Sequence, residues 1–113
     1  MTYLATPYSH SDPAVRQARF EAACRIAGQL MMVGEIVFSP ICHSHLIAMT
    51  CDLPGGWEFW SAQDLPLLQA CQKLIVVKME GWNNSTGVMR EIAYARSLCI
   101  PVEFRDARQY GVL

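Results

Sequence analysis

Apolar residues recur along this chain in two alternating rhythms, short runs and longer stretches at helical spacing. Thr2 to Ala5 is a short run with Tyr3 and Leu4 as its bulk, and it reads as a first strand. Asp12 followed by Pro13 announces a helix: a capping side chain, then a proline where no amide is needed. Val15, Phe20, Ala23, Ile26, Ala27, Leu30 and Met31 then recur at helical spacing for about five turns, and Gly34 closes the helix. Glu35 to Ser39 reads as a second strand, ended by Pro40. Ile41 to Thr50 reads as a loop, with a short helix as the alternative, and Cys51 to Gly56 as a turn region. Trp57 to Cys71 is a third helix through Phe59 or Trp60, Leu67, Leu68 and Cys71, in which Pro66 predicts a kink or a restart. Lys73 to Met79 is a continuous apolar strand of the kind that parallel sheets bury on both faces. Ser85 caps a further helix whose apolar stripe is Val88, Ile92, Ala95, Leu98 and Cys99. Pro101 to Phe104 is a last strand, and Arg105 to Leu113 a tail with room for one helical turn.

The order is β-α-β-(α)-α-β-α-β. It predicts an α/β fold, a small doubly wound three-layer sandwich of flavodoxin or Rossmann type, with a parallel sheet of four to five strands. Residues 1–113 are expected to form a single domain. Such sheets bind ligands beyond the carboxyl ends of their strands. The segments placed there are Thr6 to Ser11, Ser39 to His45 and Glu80 to Gly87. Two of them lead into capped helices, whose free amides can receive an anion.

Composition narrows the function. The net charge is −1 and no basic run occurs, so no electrostatic footprint for a nucleic acid polymer is present. The apolar stretches are too short to span a membrane, and Met1 leads directly into a strand, so neither a membrane partner nor a leader is expected. Five scattered cysteines, odd in number and mostly at apolar positions, suggest reduced, buried thiols and a cytoplasmic setting. Cys42, His43, His45, Cys51 and Asp52 cluster in sequence, but no paired element completes a four-ligand set, so neither a metal nor another cofactor is expected.

Glu91 stands out because it lies on or beside the apolar stripe of the last helix. Periodicity by itself favours a glutamate at the stripe's edge that reaches water. The alternative is a carboxyl turned into a cavity, where desolvation raises its basicity. Tyr3 taken alone is as readily an ordinary strand tyrosine, and Asp64 a solvated helix acid.

Taken together, Tyr3-Leu4-Ala5-Thr6-Pro7-Tyr8-Ser9, Phe38-Ser39-Pro40-Ile41 to Ala48, Trp57-Glu58-Phe59-Trp60 with Asp64, and Ser85-x-Gly87-x3-Glu91-Ile92-x2-Ala95 are similar to the nucleoside 2-deoxyribosyltransferase-like superfamily. More narrowly, the chain resembles the small bacterial and phage proteins grouped as DUF1937. The resemblance covers most of the chain and implies cleavage of the N-glycosidic bond of a deoxynucleoside or deoxynucleotide. The sugar would pass through a glutamate nucleophile to another base or to water. By that resemblance Glu91 is the nucleophile, Tyr3 hydrogen-bonds it, and Asp64 handles the base or its proton. Ser85 matches a serine that holds phosphate in nucleotide-hydrolysing members, which tilts the expected substrate toward a phosphorylated one. The first loop departs from the pattern, with Thr6-Pro7-Tyr8-Ser9-His10 in place of a glycine-rich phosphate loop.

The residue types suit that chemistry. A carboxylate at the anomeric face can trap the developing cation, and a second, protonated carboxyl can assist the leaving base. Thr6, Pro7, Ser9 and His10 in the first loop, His43 and His45 after the second strand, and Ser85 and Gly87 at the last helix are the candidate substrate contacts. Trp60, with Trp57 and Trp82, could stack on a base, although at least two of the three tryptophans are expected in a core or an interface. A non-catalytic nucleotide-binding module, a sensor or sequestering protein, is the alternative on the same fold. The expected partners are a small-molecule nucleoside or nucleotide and, from the apolar bulk at Met31, Met32 and Trp57 to Trp60, a second copy in a homodimer or higher homo-oligomer.

Overall fold

The computed structural model describes residues 1–113. Strand β1 (Thr2–Ala5) leads to helix α1 (Pro13–Met32), strand β2 (Val37–Phe38), helices α2 (Pro40–Cys51) and α3 (Trp57–Gln69), and strand β3 (Lys73–Lys78). Helix α4 (Thr86–Ser97) and strand β4 (Val102–Asp106) follow, with short 3₁₀ turns at Trp82–Asn84 and Ala107–Tyr110. The four strands pair in parallel in the order β2-β1-β3-β4. The sheet is therefore doubly wound, with its reversal of strand order between β1 and β3.

Alternation along the two central strands divides the interior into two cores. Leu4, Ile75 and Val77 face one side and meet Ala22, Ile26, Ala27 and Leu30 of α1. Tyr3, Ala5, Leu74 and Val76 face the other and meet Leu68 of α3 and Val88, Ile92 and Ala95 of α4. Both faces of β1 and β3 are thus covered, as their continuous apolar runs require.

The helix ends follow their local chemistry. Asp12 accepts from the Ala14 amide at 2.9 Å. At the other end of α1 the Gly34 amide donates to Met31 and the Glu35 amide to Leu30, each at 3.0 Å. Gly34 takes φ +94° to make that paired closure, a conformation that favours glycine.

Several expectations are corrected. The segment after β2 is a regular twelve-residue helix and not a loop. Ser39 caps it by accepting from the Cys42 amide at 3.1 Å, and Pro40 sits at its first position, so Ser-Pro starts a helix here as well as ending a strand. Strand β2 shrinks to Val37–Phe38, because it is an edge strand with one partner and little to bury. Pro66 lies within α3, which continues to Gln69. Leu98 and Cys99 leave the stripe of α4: Leu98 is the cap, Cys99 turns left-handed at φ 57°, and both are exposed. All five cysteines are free, but only Cys71 is buried; Cys24, Cys51 and Cys99 are exposed. No helix is long and apolar enough to cross a membrane.

Candidate active site

Two loops leave the carboxyl ends of β1 and β3 side by side at the reversal of strand order. Arg19 of α1 ties them together, donating to the Ser9 carbonyl at 2.9 Å and reaching the Glu80 carbonyl at 3.5 Å. Gly81 makes room for it: a Cβ there would stand 2.5 Å from the guanidinium, and its φ is +89°. Beside these loops opens a cavity of about 970 Å³, walled by the first loop, α2, the turn before α3, Asp64 and the first turns of α4.

Glu91 reaches the cavity from α4, one turn beyond Val88, and is only 7% exposed. The reading favoured by periodicity, a glutamate at the edge of the stripe, is therefore overturned: the helix turns this carboxyl inward. The Tyr3 hydroxyl, fully buried in β1, donates to Glu91 Oε2 from behind. Burial pushes Glu91 up to about 8; the Tyr3 hydrogen bond opposes the shift and the charge of Asp64 adds to it. Asp64, on α3, is pushed up to about 6 by its own burial, against the pull of His43. Burial, then the charge of Glu91, raises the Tyr3 phenol far above its ordinary value, so it stays a donor. Glu91 and Asp64 are thus two carboxyls lining one cavity, each reluctant to ionise, the arrangement that acid–base chemistry can use.

The other sequence-derived candidates divide. Thr6, Ser9, His10, His45, Trp60, Ser85 and Gly87 all line this cavity. Ser85 caps α4 by accepting from the Val88 amide at 3.2 Å, which leaves its own O–H free to donate. Pro7 is fully buried behind the wall, not on it. His43 lines not this cavity but an adjoining hollow of about 190 Å³, which shares Trp60 and Asp64 with it, and its ring lies 5.6 Å from Phe38. Trp57 also lines the cavity, with Arg90 stacked 5.3 Å over its ring. Trp60 ties down the preceding turn through a 2.8 Å bond to the Pro54 carbonyl. Trp82 stands apart, packed 5.8 Å from Phe104. No three His, Cys, Asp or Glu side chains converge as a metal site would require.

Sequence reasoning passed over Tyr8, Arg16, Asn84 and Thr86, all of which line the cavity. Arg16 was accessible to it: it lies four residues after the cap Asp12, on the first turns of a helix that begins at the ligand end of the sheet.

Thr6 Oγ1 is the single buried side-chain polar atom with no hydrogen-bond partner. A buried donor is seldom left unpaired without a role. Thr6→Val keeps the shape and removes the orphan, so the empty protein should lose no stability. Affinity for a ligand reaching that hydroxyl should fall about tenfold, the worth of one hydrogen bond. Thermal melting beside ligand titration checks this; a destabilised variant with unchanged affinity would assign Thr6 to the scaffold.

A family model described as "Domain of unknown function (DUF1937)" matches residues 1–105. No curated protein matches the chain.

Proposed function

The chain belongs to the DUF1937 family, and from its site we propose that it cleaves the N-glycosidic bond of a deoxynucleoside or deoxynucleotide. The observation that carries this reading is the buried Glu91, hydrogen-bonded by Tyr3 and facing a cavity that also holds Asp64. The resemblance to the nucleoside 2-deoxyribosyltransferase-like superfamily supports the same assignment. Ionised Glu91 attacks the anomeric carbon as the bond to the base nitrogen breaks; the bonding pair leaves with the base, and Asp64 supplies a proton to it. Water, or a second base, then displaces Glu91 from the sugar. Trp57 and Trp60 offer the base a stacking face. Arg16, the only lysine or arginine on the cavity wall, favours a phosphorylated substrate. Incubation with a panel of deoxynucleosides and their 5′-monophosphates, read as free base, tests the proposal. Release from no member of the panel would sink it.

Burial also favours a second reading. With burial raising Glu91 to about 8 and Asp64 to about 6, Glu91 is the carboxyl that keeps its proton near neutral pH, the reverse of what catalysis needs. A nucleotide-binding module without turnover fits that order, and binding without base release would establish it. As an enzyme, the protein works from the one-proton state of the pair. Its rate should be bell-shaped in pH, with limbs near about 6 and about 8. A profile flat across that window would remove the pair from the mechanism.

The same reading carries self-association. Met31, Met32, Val33 and Ile36 are exposed together at the end of α1, as are Leu46, Ile47 and Met49 on α2. We expect a homodimer that covers one of these patches. Light scattering at low micromolar concentration checks it; a mass of 12.7 kDa would mean a monomer.

A further inference from the structure

Consecutive residues of α4 face different ways. Gly87, Val88 and Glu91 line the cavity, whereas Arg90 does not. Its guanidinium instead lies 5.3 Å over the ring of Trp57, at the start of α3. No carboxylate forms a salt bridge with Arg90, so the indole is the partner of this charge. Trp57 itself lines the cavity. The ring therefore stands between the two, with one face on Arg90 and the other toward the ligand space.

Trp57 needs such a clamp. It is the first residue of α3, and the cap before it, Gly56, supplies no side-chain hydrogen bond. Gly56 takes φ +102°, a conformation open chiefly to glycine, in a turn that has glycine on both sides of the Gly55–Gly56 bond. The bond from Trp60 to the Pro54 carbonyl secures that turn but leaves the Trp57 ring unoriented. A planar guanidinium stacked on the indole orients it. Arg90 and Glu91 are neighbours on one helix, so the plane of Trp57 is registered against the carboxyl that the proposed mechanism uses.

Two properties of the pair bear on what it stacks. An indole is bicyclic, and a bicyclic base covers more of it than a single ring does. The guanidinium draws the indole's π electrons to its own side, which leaves the free face poorer in electrons and favours an electron-rich ring.

We infer that Trp57 is the platform for the base, that Arg90 is the positioning residue that holds it, and that the pair selects a purine. The inference rests on the proposed function for a nucleoside or nucleotide as ligand, and adds the class of base. Trp57 touches the ligand; Arg90 acts through it.

Equilibrium binding of 2′-deoxyadenosine 5′-monophosphate and of 2′-deoxycytidine 5′-monophosphate tests this, measured in Glu91→Gln protein so that no ligand is consumed. Both bases carry an exocyclic amino group, so the comparison turns on ring size and electron density. The adenine ligand should bind about tenfold more tightly. Added to that background, Trp57→Leu should remove most of the difference. Arg90→Leu should narrow it about threefold by weakening the adenine ligand. Arg90→Lys, which keeps the charge, should stand between leucine and arginine. A role in packing alone predicts equal loss for both ligands, or a lower melting temperature with their ratio unchanged. The inference is overturned if the two ligands bind equally before either substitution, if Arg90→Leu leaves their ratio unchanged, or if Arg90→Lys is no better than Arg90→Leu. Should Trp57→Leu fail to fold, the variants of Arg90, an exposed residue, carry the test alone. The expected order of affinities without base release by the wild-type protein would support this inference and defeat the hydrolase reading. Base release with no preference for adenine would do the reverse.

Discussion

Glu91→Gln is expected to abolish base release and to make the protein more stable toward alkaline pH. The loss of activity follows from the proposed mechanism: an amide cannot form the bond to the anomeric carbon, and removal of a covalent nucleophile costs about a thousandfold or more. The gain in stability follows from burial. In the unfolded chain Glu91 ionises near its ordinary 4.5, whereas in the fold it holds its proton up to about 8. Between those values the native state binds more protons than the unfolded state, so stability falls as pH rises through the window. Glutamine keeps an oxygen for Tyr3 to donate to and carries no proton to lose, so that slope should vanish. The melting temperature should exceed wild type's increasingly toward the top of the window, by about 4 °C for each kcal/mol recovered in a chain of this size. Wild-type turnover would end the nucleophile assignment. Parallel stability curves for the two proteins across the window would show that Glu91 ionises freely in the fold.

Tyr3→Phe should lower the rate near neutral pH by about tenfold to a hundredfold, the worth of a hydrogen bond to a charged group. The Tyr3 bond is what holds Glu91 down, so its loss raises the Glu91 carboxyl further. Glu91 then keeps its proton for more of the time, and the arrangement that the proposed mechanism needs, Glu91 ionised and Asp64 protonated, becomes rarer. The alkaline limb of the rate profile should move upward. Above it the two proteins should converge, because the productive form then depends on the proton affinity of Asp64 alone. A deficit of the same size at every pH would mean that Tyr3 acts on geometry and not on the proton.

The parts legible in the sequence are those written in local chemistry. Asp12-Pro13, Ser85 and the continuous run from Leu74 to Val77 announce their elements without help from distant residues. Helix α2 was hidden because His43, Ser44 and His45 interrupt any apolar stripe; its inner face is made by Pro40 and His45, the latter satisfied by partners on α1 and the first loop. Glu91 could be singled out but not placed. Whether a glutamate on an apolar stripe turns in or out is decided by what waits for it, and what waits is Tyr3, 88 residues earlier. The same distance effect hid Tyr8 and Arg16, which share a cavity wall only once α1, α2 and the first loop have met. The cysteines misled for a different reason: Cys24 and Cys51 lie on outward faces of helices, where a small sulfur side chain needs no burial.

The placing of β1 between β2 and β3 bears on how the molecule is made. Thr2 to Ala5 leave the ribosome well before β3, their longest partner. Until β3 arrives, β1 can pair only with the two residues of β2, and its other edge stays open. A nascent chain halted between α2 and β3 therefore exposes an apolar strand with an unpaired edge, the kind of surface that chaperones cover and that seeds aggregation. When β3 does dock, the edge closes and Glu91 soon follows on the next helix. The proposed release of base should then appear in one step late in refolding, so that activity would report completion of the fold and not its early helical content.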